Sequence, residues 1–422
     1  MNLKRLQQSI EKIATYSDAG VGINRLAYTK AEQDAKRYLI RQFEDEGLTI
    51  RVDAVGNVIA RREGLRTELP VVAMGSHIDS VYDAGKYDGV IGVMAALEII
   101  RLLNEESIQT LHPIEVIIFS CEESARFSIA TVGSKAMAGV LPAIDLHALT
   151  DRDGITMAEA FRENQLDLEQ VERAVRRPAS FKSYVELHIE QGPILEGERL
   201  DIGIVSAIAA PTRYRISISG RASHSGTTPM NYRSDALLGA AEIALEIERA
   251  AKAEAHKGTV GTVGVLTIQS GSMNTVPGEA YLEIDIRGTD GSSKQMVIER
   301  LQAVISRVEQ ERDLQISCTL LSHEQPVHMH PDIVHDFEET CEENNIRYKV
   351  MPSGAGHDAM NMAGLCPTGM LFVPSQDGLS HNPKEYTSIE QIGIGTRLLK
   401  DFILKSAIVT TNALQNKCLR SS

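Results

Sequence analysis

Between Gly75 and Val90 the chain reads GSHIDSVYDAGKYDGV. One imidazole and three carboxylates (His77, Asp79, Asp83 and Asp88) follow directly on the apolar run Val71–Met74. Three more clusters have the same character: Glu122-Glu123 in FSCEESARF, His188 in SYVELHIEQG and His381 in GLSHNP. Imidazole and carboxylate together suit zinc, manganese, cobalt or nickel. The absence of thiolate from the clusters argues against a closed structural zinc site. The donor set is large enough for two divalent ions that share one carboxylate, and such a pair polarises a water between them. Adjacent Glu122 and Glu123 would point apart on a strand. At a strand end one can serve as a ligand while the other faces the water as a general base.

Each cluster alone has an ordinary explanation. A single His after a strand is usually a hydrogen-bonded core residue, paired Glu is usually solvated, and Asp before Gly is usually a turn. Four clusters, each at the end of an apolar strand, are harder to explain that way. Burying several carboxylates without a cation would be costly.

The positions of these residues depend on the elements that carry them. LPVVAMGS and IEVIIFS (Ile114–Ser120) are short continuous apolar runs, as expected of strands buried on both faces. GVIGVMAALEIIRLLNEE, from Gly89 to Glu106, reads as a buried helix, and TIRVDAVGNVIARR as two strands about a turn at Gly56-Asn57. Thr29 and Glu32 form a possible capping box for a helix to about Glu46. Buried strands alternating with helices predict an α/β domain with a mostly parallel sheet, in which sites form at the carboxyl ends of the strands.

The rhythm changes between Thr212 and Ser322. TRYRISISG alternates, Ser234 is placed to cap a helix to about Ala255, and GTVGTVGVLTIQS and EAYLEIDIRG read as strands. The next helix carries Val297, Leu301, Val304, Ile305 and Val308 on one face, and LQISCTLLS is a last strand. The order β-α-β-β-α-β is that of a ferredoxin-like α+β unit. The expected division is a catalytic domain over 1–211 and 326–422, interrupted by an inserted domain over 212–325. The first domain resumes with MPSGAGHDAMNMAGL, a strand in TGMLFVPS and a helix from about Ser388.

With 57 Asp and Glu against 43 Lys and Arg, a net charge of −14 argues against nucleic acid or an anionic membrane as partner. No run reaches transmembrane length, and the first residues contain no apolar signal-like stretch. Five scattered Cys without a CxxC pair point to a reducing cytoplasm rather than a disulfide framework.

GSHIDSV, YDGVIGV, EES-RF, HIEQGP, SHSGTTPM, NTVPGE, SGAGHDA and SHNPKE occur in this order along nearly the whole chain. In these motifs the sequence resembles the dinuclear-metal amidohydrolases and peptidases of the aminoacylase/carboxypeptidase type. The branch it resembles holds N-carbamoyl-L-amino-acid hydrolases, allantoate amidohydrolases and β-ureidopropionases. The resemblance implies two divalent ions (zinc, manganese, cobalt or nickel), with His77 and His188 on one, Glu123 and His381 on the other, and Asp88 bridging. It implies Glu122 as base, Asp79 as the group orienting His77, the inserted ferredoxin-like domain over 212–325 as a lid and dimerisation domain, and His224 as the oxyanion donor, supplied by the partner in a homodimer. Asn274 and Arg287 match substrate-binding positions, with Arg287 suited to a substrate carboxylate. Gln191, Gly356 and His357 are further candidate contacts, the last two in a glycine-rich loop with Gly354.

Asp83 receives no role. His112, His147, His256, His323, His328, His330 and His335 match no site motif. Ser124-Ala125 follows the acidic pair where many relatives carry a glycine, which bears on pocket shape and substrate choice. The implied reaction is hydrolysis of the ureido C–N bond of an N-carbamoyl-L-amino acid, a small substrate with a carboxylate. Allantoate hydrolysis, dipeptidase or N-acyl-amino-acid hydrolase activity, and a non-catalytic metal-binding scaffold are the alternatives. Retention of Glu122 with the full ligand set argues against a scaffold.

Overall fold

The computed structural model describes residues 1–141, 146–269 and 271–407. In chain order its first elements are α1 (Leu3–Ala14), α2 (Lys30–Asp45), β1 (Thr49–Val52), β2 (Val58–Arg62), β3 (Val71–His77), α3 (Val90–Glu105), β4 (Ile114–Phe119), α4 (Val132–Ala138), α5 (Met157–Glu163), β5 (Phe181–Ile189), α6 (Ile194–Glu198) and β6 (Ile202–Ile208). They are followed by β7 (Ala210–Ser219), β8 (Ser223–His224), α7 (Ala236–Glu254), β9 (Val260–Ile268), β10 (Thr275–Val276), β11 (Glu279–Gly288), α8 (Gly291–Arg312), β12 (Gln315–His323) and β13 (Val327–His328). The last are α9 (Pro331–Glu343), β14 (Tyr348–Ser353), α10 (Asp358–Met362), β15 (Thr368–Val373) and α11 (Ile389–Ala407).

The chain forms two compact units. The first holds Met1–Ser206, Met329–Met351 and the described residues from His357 onward; the second holds Ala207–His328 and Pro352–Gly356.

The first unit is built on a sheet in the order β1-β2-β4-β3-β5-β15-β6. Its four central strands, β4, β3, β5 and β15, are parallel neighbours. The flanking pairs β1–β2, β2–β4 and β15–β6 are antiparallel. β3, β4 and β15 are buried along their whole length, because helices cover both faces of a parallel sheet. α3 is apolar nearly all round, so it sits inside this layer rather than on its surface. Together these elements make one large core that includes Val72, Met74, Val93, Leu97, Val116, Leu187 and Leu371.

Some capping details differ from the expectation. Thr29 caps α2 through Glu32 N–H, but the Glu32 carboxylate turns to Tyr28 N–H at 2.6 Å and to Lys36, also buried, at 2.7 Å. The reciprocal arm of the capping box is therefore displaced by one residue. A buried carboxylate gains more from the Lys36 ammonium than from Thr29 N–H.

The second unit is a four-stranded antiparallel sheet, β12-β7-β11-β9, with α7 and α8 packed together. The order 4-1-3-2 in its own strands is the ferredoxin-like arrangement. Val297, Leu301, Val304, Ile305 and Val308 of α8 enter its core with Ile216, Ile243, Leu282 and Ile284. Ser234 does not cap α7. Asp235 does, accepting from Leu237 N–H and Leu238 N–H, because its carboxylate is one residue closer to the first turn.

Candidate metal centre

The four clusters converge at one edge of the parallel sheet. His77 is the last residue of β3, His188 is next to last in β5, Glu122-Glu123 follow β4, and His381 follows β15. These are the four parallel central strands, so each contributes at its carboxyl end, where an open α/β sheet forms its crevice. Asp88 completes the set from the segment that enters α3.

Asp88 lies at the middle. Its Oδ1 is 3.4 Å from His77 Nε2 and 3.2 Å from His188 Nε2. Its Oδ2 is 3.4 Å from His381 Nε2, and that nitrogen is 3.2 Å from Glu123 Oε1. Two groups of prospective ligands result, His77–Asp88–His188 and Asp88–Glu123–His381, each with its ligand atoms within 4.8 Å of one another. Asp88 belongs to both.

Hydrogen bonds behind the imidazoles set their tautomers. His77 Nδ1–H donates to the Asp79 carbonyl at 3.0 Å, and His188 Nδ1–H donates to the Ile189 carbonyl at 2.9 Å. A carbonyl only accepts, so the lone pair of each neutral ring sits on Nε2, aimed into the cluster. Gly89 makes room for this arrangement. Its φ is 65°, and a Cβ there would lie 2.4 Å from His77 Nε2.

The electrostatics call for positive charge at this place. Burial lowers the proton affinity of His77, but Glu122, Asp88 and Asp79 more than reverse this and hold it well above the usual range. Hydrogen bonds to Asp88 and Glu123 push His381 up to about 10. Burial works against the Asp88 carboxylate, yet the charge and hydrogen bonds of His188, His381 and His77 hold it well below the ordinary value. Burial, with Glu123, Asp358 and Asp79 nearby, pushes Glu122 well up against the pull of His77. Nitrogen and oxygen donors without thiolate, converging among buried carboxylates, fit a pair of divalent cations. The Glu122 carboxylate is 3.7 Å from His77 Nε2 and belongs to neither ligand group, which leaves it beside them.

Several predicted residues stand differently from their expected places. The Asp79 carboxylate does not chiefly orient His77. Its nearer oxygen is 3.6 Å from Nδ1, whereas its two oxygens accept from Glu122 N–H at 3.2 Å and Glu123 N–H at 3.0 Å. It thus fixes the turn after β4, where Cys121 takes a φ of 54°. Burial raises the Asp79 pKa to about 7.

Gln191 donates to Asp88 Oδ2 at 2.7 Å, so it holds the shared carboxylate. His357 is buried behind His188, edge-on at 4.5 Å between ring centres. Burial and the charge of His188 hold its pKa well below the usual value. Asp83 ties its own loop to Val21, Gly22 and Asn24.

In the second unit, His224 is exposed and its Nδ1 accepts from Gly226 N–H at 3.0 Å and Thr227 N–H at 3.3 Å. The neutral ring therefore carries its proton on Nε2, as a donor. Asn274 Oδ1 accepts from Ser272. The guanidinium fork of Arg287 is engaged by Asp285, at 3.1 and 3.0 Å, and Arg287 Nη1 donates to the Gly354 carbonyl at 3.1 Å. Gly356 belongs to the same unit.

Sequence reasoning missed four residues around the centre. Glu385 accepts from Tyr87 N–H and Asp88 N–H, and Ser380 donates to Asp88 Oδ2 at 2.7 Å. Glu186 accepts from Ser76, Tyr184 and Ala359, while Asp358 accepts from Ser134. All four lie in motifs already singled out. For Glu186 the signal is an acid within the apolar run YVELHI, whereas Ser380 and Glu385 carry none beyond their motif.

Residues 73–405 match the model of peptidase family M20/M25/M40, and the chain belongs to that family. It is 46% identical over 97% of its length to an uncharacterized hydrolase of Haemophilus influenzae, 99% of which is covered. It is 37% identical to the N-carbamoyl-L-amino-acid amidohydrolase of Paenarthrobacter aurescens, over 94% of this chain and 96% of that one. A ureidoglycolate hydrolase of Arabidopsis thaliana is also 37% identical, over 96% and 86%. Among solved structures, a hydantoinase/carbamoylase family amidase from Burkholderia multivorans superposes with a TM-score of 0.88 at 34% identity, covering 97% of this chain and 98% of that one.

Proposed function

We propose that this chain is a metal-dependent hydrolase of the ureido C–N bond of N-carbamoyl-L-amino acids, releasing the amino acid, carbon dioxide and ammonia. The observation that carries the reading is the place of Asp88 in two ligand groups, with the unassigned carboxylate of Glu122 beside them. His77, His188 and Asp88 would hold one divalent cation, and Glu123, His381 and Asp88 would hold the second. When bound, the cations supply Lewis-acid polarisation of a water and of the substrate carbonyl. Glu122 takes the proton of the attacking water and returns it to the nitrogen of the leaving amine. Asp79 keeps Glu122 and Glu123 on station through their backbone N–H groups.

His224 donates its Nε2 proton to the oxygen on which negative charge develops, an interaction strongest in the transition state. Arg287 holds the substrate carboxylate by exchanging it for Asp285, and Asn274 and Gly356 complete the substrate contacts, while Gln191 holds Asp88 and His357 backs His188. A homodimer, in which a partner copy supplies His224, is supported by the exposed apolar residues Val260, Val265 and Leu266 on the edge strand β9 and Leu238 and Leu245 on α7.

The compounds named in two relatives that are each 37% identical, an N-carbamoyl-L-amino acid and ureidoglycolate, both carry a ureido group and a carboxylate. A second carboxylate-bearing ureido substrate is therefore the alternative reading. The test is a screen of ammonia release from N-carbamoyl-L-amino acids, β-ureidopropionate, allantoate and ureidoglycolate, with manganese, cobalt, nickel or zinc supplied. Preference for an N-carbamoyl-L-amino acid supports the reading. Preference for another ureido acid moves the assignment to that acid, and absence of release from all of them overturns the reaction class.

A further inference from the structure

The shared carboxylate and the loop carrying His381 are held by one side chain that the reaction itself does not require. Glu385 is 4% exposed. Its Oε1 accepts from Tyr87 N–H at 2.9 Å and from Asp88 N–H at 3.1 Å, across 297 residues of sequence in the second case. Its Oε2 is 3.3 Å from the Ser380 hydroxyl, and Ser380 donates to Asp88 Oδ2 at 2.7 Å. Ser380 immediately precedes His381, whose φ of 55° lies in the left-handed region. That conformation costs about 1–2 kcal/mol for a residue with a Cβ, so His381 holds it only where its surroundings impose it.

Gly85 fits the same arrangement. A Cβ at that position would lie 2.3 Å from the Glu385 Cβ and 2.4 Å from its Oε1. The loop before Asp88 therefore closes around Glu385 only because residue 85 has no side chain. A buried carboxylate must be matched by donors, and here the donors are the backbone N–H groups of Asp88, a prospective ligand, and of Tyr87 before it.

We propose that Glu385 is a positioning residue for the metal centre, locking the Asp88 backbone and the His381 loop into one geometry so that both ligand groups form together. The inference rests on the reading of Asp88 as the ligand shared by two cations. Acceptance of hydrogen bonds, and not negative charge, is the property it uses. A glutamine keeps an acceptor for the two N–H groups, and its amide can donate to Ser380, whose own proton still goes to Asp88.

The experiment uses the full chain, stripped with a chelator and titrated with cobalt. Bound cobalt per chain is measured by equilibrium dialysis, and coordination geometry is followed by the visible d–d absorption. Wild type should bind two cobalt ions; fewer than two overturns both the shared-ligand reading and this inference. Glu385→Ala should lower cobalt affinity about 10–100-fold, the range for loss of a group that orients metal ligands, and should change the d–d band. Glu385→Gln should stay closer to wild type than about 10-fold, the lower end of that range. Gly85→Ala, which displaces Glu385 without removing it, should reproduce the effect of Glu385→Ala. It also keeps the question decidable if Glu385→Ala does not fold. Wild-type affinity and spectrum in Gly85→Ala or Glu385→Ala would overturn the positioning role while leaving the two-cation site intact. A Glu385→Gln variant as impaired as Glu385→Ala would overturn it in favour of a charge effect.

Discussion

Replacing Gly89 by alanine tests the centre through a residue with no side chain of its own. Gly89 caps α3 with φ 65° and ψ −44°, a conformation that is sparsely populated for L-residues and costs about 1–3 kcal/mol. The new methyl adds a collision. It would lie 2.4 Å from His77 Nε2, 2.5 Å from Cε1 and 2.6 Å from Cδ2, where ordinary contact begins at 3.4 Å. Relief requires the imidazole or the start of α3 to move by about 1 Å. The ring is pinned by its hydrogen bond to the Asp79 carbonyl, and the start of α3 carries Asp88, so either movement separates His77 from Asp88.

A displacement of that size costs on the order of 10²-fold in turnover, and cobalt affinity should fall about 10–100-fold. Urea unfolding of the metal-free protein should show a loss of ~1–3 kcal/mol from the backbone alone. Gly47→Ala is the control: its φ is 81°, and nothing lies within 4 Å of its added Cβ. It should lose stability without losing cobalt affinity. A Gly89→Ala protein that binds cobalt and turns over substrate like wild type would refute the steric argument.

Three other outcomes are expected. Glu122→Gln preserves shape but removes proton transfer, so turnover should fall on the order of 10²–10⁴-fold while metal content, read by mass spectrometry, stays the same; near-normal turnover rules Glu122 out as the base. Chelation should abolish activity, Asp88→Ala should reduce occupancy of both metal positions and His381→Ala mainly of one, because only Asp88 belongs to both ligand groups; full activity in rigorously metal-free protein would defeat the mechanism. If His224 is supplied by a partner copy, inactive His224→Ala and inactive Glu122→Gln chains should regain activity when their subunits exchange, and verified heterodimers that stay inactive would count against the shared site.

Much of this protein can be read from local pattern. Continuous apolar runs place β3 and β4, because a strand buried on both faces needs no alternation. Ligand-type residues at the ends of those runs locate the centre, because the carboxyl ends of adjacent parallel strands share one crevice. The helical stripe of Val297, Leu301, Val304, Ile305 and Val308 and the alternation in β11 locate the second unit in the same way. These signals survive in one dimension because burial and side-chain period are set by near neighbours.

What the tertiary structure alone decided is which atom meets which. The resemblance makes Asp79 the group that orients His77, but β4 lies beside β3, so its carboxylate, 3.6 Å from the His77 ring, also takes the backbone N–H groups of Glu122 and Glu123. Gln191 reads as a contact for a substrate, yet it reaches Asp88, and His357 packs behind His188 rather than in an open loop. Glu385 carried no signal beyond its motif, since its hydrogen-bond partners Tyr87 and Asp88 lie about 300 residues earlier. The types of the ligands follow from the sequence, because coordination chemistry constrains them. Their tautomers, anchors and exact oxygens depend on contacts between strands distant in the chain, and those exist only once the sheet has assembled.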